Sequence, residues 1–213
     1  MKTDDLIAAL ALEPGFPGPG RVAGLLVLWS GAGALVAALL TLLALGARPD
    51  LGEGSGLASF LGKAGFTLAL AAAGLWLARR LGQPGVSARR PLLALLMLVG
   101  GGAVATALEL ALTPPGARAA QLMGHSAASC PLVILGLGLL ILGPALAAAR
   151  RLAPVRPAAA GAAVGLLAGG LSATAYGLHC AESAVSFLVV WYGLGVLVTA
   201  LVGAALGARF LRW

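Results

Sequence analysis

The chain has 213 residues, 60% of them hydrophobic and 10% charged, with a mean hydropathy of +1.01 and a formal net charge of +7. A soluble domain carries about 25% charged residues, so this chain has too little polar surface to cover a water-soluble globule and reads as an integral membrane protein. The positive charge does not point to nucleic acid, because the basic residues stand in short clusters between apolar runs, a pattern that orients a protein in a bilayer.

In chain order, the start 1-MKTDDLIAAL-10 reads as a short acidic amphipathic helix. Asp4 and Asp5 suit the positive end of a helix dipole, and Leu6, Ile7 and Leu10 share one apolar face. Such a helix suits docking of a soluble partner in a groove; the alternative is a helix lying on lipid. The two aspartates stand where a secretory signal would want positive charge, so no cleavable signal is expected. The turn-rich 14-PGFPGPG-20 cannot continue a helix. It divides an N-terminal region, 1–21, suited to binding a partner, from the apolar remainder, 22–213.

A membrane span needs about 20 apolar residues. Six segments qualify: Val22–Leu45, Leu57–Leu77, Leu92–Leu112, Leu132–Ala149, Ala158–Leu178 and Val185–Leu206. None alternates polar and apolar residues as a barrel strand would. The predicted fold class is therefore all-α, an integral membrane bundle of six transmembrane helices. Eleven Lys and Arg fall on one side, in the segments before span one, between spans two and three, between four and five, and after six; Arg48 and Arg118 fall on the other. That bias places both termini in the cytoplasm. In span five, Gly161, Gly165, Gly169, Ala173 and Gly177 recur every four residues, a small-residue face for close helix packing.

Two charges interrupt the spans, Lys63 and Glu109. Counted from the shared arginine-rich connection they sit at similar depth. An intramembrane ion pair, separate snorkelling to the interface and a functional relay all fit.

The most informative stretch is 174-TAYGLHCAESAV-185, which sets His179, Cys180 and Glu182 almost side by side at the outer end of span five. Cys130, in 125-HSAASCPLV-133, is the only other cysteine and lies at the outer start of span four. Spans four and five are antiparallel neighbours, and their cysteines climb ~30 and ~36 Å above the intervening arginines at 1.5 Å per residue. Both thiols thus reach similar heights near an oxidising face, which makes a disulfide geometrically accessible. Three readings stand side by side: a thiol-reactive sensor pair; a soft-metal site drawn from Cys130, Cys180, His179, His125 and Glu182; and two small apolar fillers with two interfacial histidines. No resident cofactor is implied, a soft metal ion entering only as a signal. A single separated pair without CxxC is poor equipment for relaying electrons, and no nucleotide loop, serine triad or HExxH is present.

The start 1-MKTDDLIAAL-10, the block 153-APVRPAAAGAAVGLLAGGLSATAYGLHCAES-183, the run 191-WYGLG-195 and 130-CPL-132 together resemble the NrsF-type family, six-span inner-membrane anti-sigma factors of proteobacteria. The likeness covers nearly the whole chain and is most specific from LHCAE to WYGLG. It implies a protein that holds an extracytoplasmic-function sigma factor at the membrane and releases it on heavy-metal or oxidative stress. It also implies that Cys130 and Cys180 are the sensing residues. The chain departs from the family in carrying Ala181 where a proline often follows the second cysteine. The alternative function is a small membrane thiol oxidoreductase or metal-handling protein.

Overall fold

In the computed structural model, which describes residues 3, 19–83, 85–152 and 154–212, the described residues form helices and connections without a strand. Six helices are long and apolar enough to cross a membrane. They are α1 (Pro19–Ala44), α2 (Gly54–Leu81), α3 (Arg89–Leu112), and, after a nine-residue helix α4 (Pro115–Met123), α5 (Cys130–Ala149), α6 (Pro157–Tyr176) and α7 (Val185–Phe210). In lipid every backbone group must be satisfied within the chain, and continuous helices do this. Large exposed side chains such as Leu43, Met97 and Leu132 form the surface such a solvent requires.

Local sequence sets the helix ends. Pro115, Pro131 and Pro157 stand in the first turns of α4, α5 and α6, where a missing N–H costs nothing. Arg79 and Arg80 occupy the last turn of α2, where positive charge complements the dipole. Some helices outrun the predicted spans, α2 running from Gly54 to Leu81 and α7 on to Phe210, whereas α6 stops at Tyr176, short of the predicted Leu178. The small helix α4 was not anticipated; it occupies part of what reads as a plain connection. α7 contains a π-helical turn, Leu188–Tyr192.

α6 is the centre of the bundle. It is 67% buried across its span, whereas α3 is 6% buried, and it packs against α1, α2, α5 and most extensively α7. The predicted small-residue face explains the last contact. A Cβ on Gly165 would lie 2.6 Å from the Thr199 carbonyl oxygen, and one on Gly203 would lie 2.5 Å from that of Gly161. Only glycine permits backbones this close. On the other flank of α6, Gly170 meets Ala71 of α2 in the same way.

Burial separates into two clusters. One, around Leu26, Ile141, Leu142, Ala145, Val164 and Leu167, fills the arginine-rich half of the bundle. The other gathers Cys130, Ile134, Tyr176, Cys180, Phe187 and Tyr192 at the opposite end.

Candidate functional site

The second cluster is built around the connection 177–184 between α6 and α7. Four separate parts of the chain hold it. The Arg48 backbone N–H donates to the Leu178 carbonyl at 3.0 Å. Lys63 Nζ, from α2, donates to the Cys180 carbonyl at 2.8 Å. The Glu182 carboxylate accepts the His125 backbone N–H at 2.7 Å, tying the connection to the turn before α5. Glu109, from α3, accepts the backbone N–H groups of Val185 and Ser186 at 2.9 and 2.6 Å. The last pair caps the N-terminus of α7 with a negative charge, where free N–H groups and the helix dipole both favour it.

Both thiols are free and buried within this cluster. Ser126 joins them: its hydroxyl lies 3.8 Å from Cys180 Sγ, and its carbonyl accepts the Cys130 backbone N–H at 2.9 Å. Tyr192 is the last residue of the π turn, a local form often found at functional sites. Its ring stacks obliquely on Tyr176 at 5.7 Å and lies under the Lys63 ammonium at 5.8 Å, while its buried hydroxyl has no hydrogen-bond partner among the described residues.

Lys63 and Glu109 do not form the ion pair that similar depth allowed. Each takes backbone partners on opposite flanks of the same connection instead. Nor does Lys63 snorkel, for it is 4% exposed. Counting along helices gave their height correctly and said nothing of their azimuth around the bundle. The histidine side chains take partners other than the thiols. His179 Nδ1 lies 3.0 Å from the Gly46 carbonyl oxygen, and His125 is a fully exposed side chain 3.5 Å from Glu182. Among the described residues no three of His, Cys, Asp and Glu gather into a group able to hold a metal ion, so the metal site, one of three readings of the sequence, is not assembled there. Asp4, Asp5, Leu6, Ile7 and Leu10 lie outside the described residues.

Sequence reasoning missed Arg48. It is not a free outer-face charge: it is buried, and its guanidinium grips Asp50 through Nε and Nη2, each at 2.6 Å. The Arg48 bond holds the Asp50 carboxyl below its usual range, and Asp50 in turn raises Arg48. The spacing Arg-Pro-Asp was the available signal. Ser126 carried none, and Tyr192 stood only within the WYGLG run of the family resemblance. Gly124 also matters here: its φ is +50°, and a Cβ on it would lie 2.7 Å from the Glu182 carboxyl carbon, so glycine leaves room for the clamp.

The thiol pair is held by backbone clamps beside a buried ammonium, and the chain has no further thiols to support a relay with turnover. The family described as NrsF, negative regulator of sigma F, matches residues 11–213. The chain belongs to this family. It is a regulatory family and not an enzymatic one, which sets aside the thiol oxidoreductase reading. The anti-sigma-F factor NrsF of Caulobacter vibrioides is 45% identical over 217 residues, covering 100% of both chains. The probable anti-sigma-F factor NrsF of Azospira oryzae is 40% identical over 213 residues, again covering 100% of both. No solved structure matches the chain.

Proposed function

We propose that this NrsF-family protein is a bacterial inner-membrane anti-sigma factor with both termini in the cytoplasm. It holds an extracytoplasmic-function sigma factor at the cytoplasmic face and releases it when Cys130 and Cys180 are modified from the periplasmic side. The juxtaposition of the two cysteines through Ser126, at the end of the bundle remote from the arginine clusters, is the observation that supports this reading. The eleven basic residues on the other side support the orientation.

Two modifications fit the site. A hydroperoxide can accept the two electrons of the thiol pair, leaving as alcohol and water while the sulfurs join and shed two protons. Alternatively, a soft divalent cation can displace both protons and bridge the thiolates. Either product ties the start of α5 to the end of α6. A local bond signals only when it favours one of two global arrangements, and the sigma factor is the ligand that reports which. Its docking surface is the acidic N-terminal segment carrying Asp4, Asp5, Leu6, Ile7 and Leu10.

The test is co-purification of the sigma factor with the membrane protein before and after peroxide or cadmium, with the thiols trapped in parallel. Cys130→Ser and Cys180→Ser should each retain the partner under stress, and the double variant should behave like either single one. Normal release from both single variants would return the cysteines to a packing role. Replacing Leu6 and Leu10 by Asp should free the partner without stress; unchanged co-purification would move the docking surface to the arginine-rich connections.

A further inference from the structure

Between α2, α3, α6 and α7 runs an apolar groove of about 710 Å³. Leu77, Leu92, Leu95, Leu166 and Leu197 form its walls, and the small side chains of Ala159 and Ala162 leave it deep. α3, the least buried of the six helices, flanks the groove and is fixed at its end remote from the arginines. There Gly102 comes against Val189 and Phe66, and Glu109 grips the start of α7. Toward the arginine-rich end Pro91 is the one buried residue of α3, and Leu92 and Leu95 line the groove.

At that end the mouth is formed by Leu81, Ala88 and Arg156. Among the described residues Arg156 is the only charged one lining the groove, and it is exposed and donates no side-chain hydrogen bond to them. Arg80 and Arg89 adjoin Leu81 and Ala88 in the chain and add to the positive field. From Leu81 up to Phe66 the groove rises ~22 Å at 1.5 Å per helical residue. One leaflet is about half of the ~30 Å hydrocarbon core. The groove is thus deep enough for an acyl chain entering from the arginine-rich leaflet, and its walls offer water no partners.

We propose that this groove is a binding site for one anionic phospholipid. An acyl chain lies along α6 between α2, α3 and α7, and the headgroup phosphate is held at the mouth by Arg156. A guanidinium suits a phosphate because its planar donors match two oxygens at once. A zwitterionic lipid would place its own cation among the same arginines, so the site favours net negative charge.

The experiment reconstitutes the full chain with equal phosphatidylglycerol and phosphatidylcholine, then counts the lipids retained by native mass spectrometry after mild detergent transfer. One retained phosphatidylglycerol is expected, enriched about fivefold over phosphatidylcholine, the weight of a single arginine at an anionic surface. Arg156→Gln should bring the two lipids to parity while retaining a lipid. Ala162→Phe should fill the groove and remove the retained lipid of either class. Equal retention of both lipids by the wild type, or enrichment unchanged in Arg156→Gln, would overturn the proposal. A dimer dispersed by Ala162→Phe would instead make the groove an interface between two copies of the chain, and the lipid site would be wrong.

Discussion

The ammonium of Lys63 and the carbonyl of Cys180, 117 residues apart in sequence, meet at 2.8 Å. Among the described residues no carboxylate pairs with this ammonium; its other neighbour is the face of Tyr192. A buried charge with so few partners is costly, and this one is spent on holding a cysteine's backbone. Lys63→Met should release the 178–184 connection. Hydrogen bonds to charged groups contribute about 1.5–3 kcal/mol, so amide exchange there should quicken at least tenfold. Exchange at the wild-type rate would mean that the bond does not hold the connection.

Glu182 links the two cysteine-bearing segments through the His125 N–H. Glu182→Ala should let the turn before α5 drift from the end of α6. With the wild type and the variant given the same mild oxidant, disulfide formation should slow by about tenfold, the effect of losing one charge-assisted bond. Alkylation trapping followed by gel mobility reads this directly.

Glu109→Ala removes both acceptors from the first turn of α7. A lost cap costs about 1–2 kcal/mol, and thermal unfolding in detergent should show it. Glu109→Gln keeps one acceptor oxygen and should fall between the two. Equal stability of all three would mean that water replaces the cap.

Glycine substitutions should divide sharply by position. Gly165→Ala places a methyl 2.6 Å from the Thr199 oxygen, whereas one at Gly101 meets nothing within 4 Å. Overpacking costs about 1–3 kcal/mol, so Gly165→Ala should lower the unfolding temperature clearly. Gly101→Ala should leave it unchanged or raise it, through helix propensity.

The Arg48–Asp50 pair sets a pH dependence whose sign follows from the lowered pKa of Asp50. Its contribution is present above the unfolded carboxyl value of about 3.9 and is lost as pH falls through the lower folded value. Asp50→Asn should therefore unfold at a lower temperature than the wild type at pH 7, and the two should converge in strong acid. A constant difference across that range would mean that the carboxylate charge is not what matters.

The six helices were legible because lipid makes the hydrophobic run itself the structural signal. The small-residue face of α6 was legible for the same reason: four-residue spacing on a helix is one face, and Gly161 and Gly165 are both against α7. The site was readable only in part. Cys130 and Cys180 could be matched in height, since rise per residue is fixed. Which way Lys63 and Glu109 point was not readable, because rotation about the helix axis depends on neighbours that no local pattern names. A run such as 46-GARPDLG-52 reads as an exposed connection, yet Arg48 is buried and its N–H is engaged by Leu178. Long-range backbone bonds leave no periodic trace.

Where α6 and α7 touch backbone to backbone, no side chains stand between them to change rotamer and take up a displacement. Such a seam behaves like a keyed shaft: the two helices travel together or not at all. A shift imposed at Tyr176, where α6 ends four residues before Cys180, would be carried by both helices toward Pro157, on the far side of the bilayer. The glycines that make the bundle tight also leave it little slack.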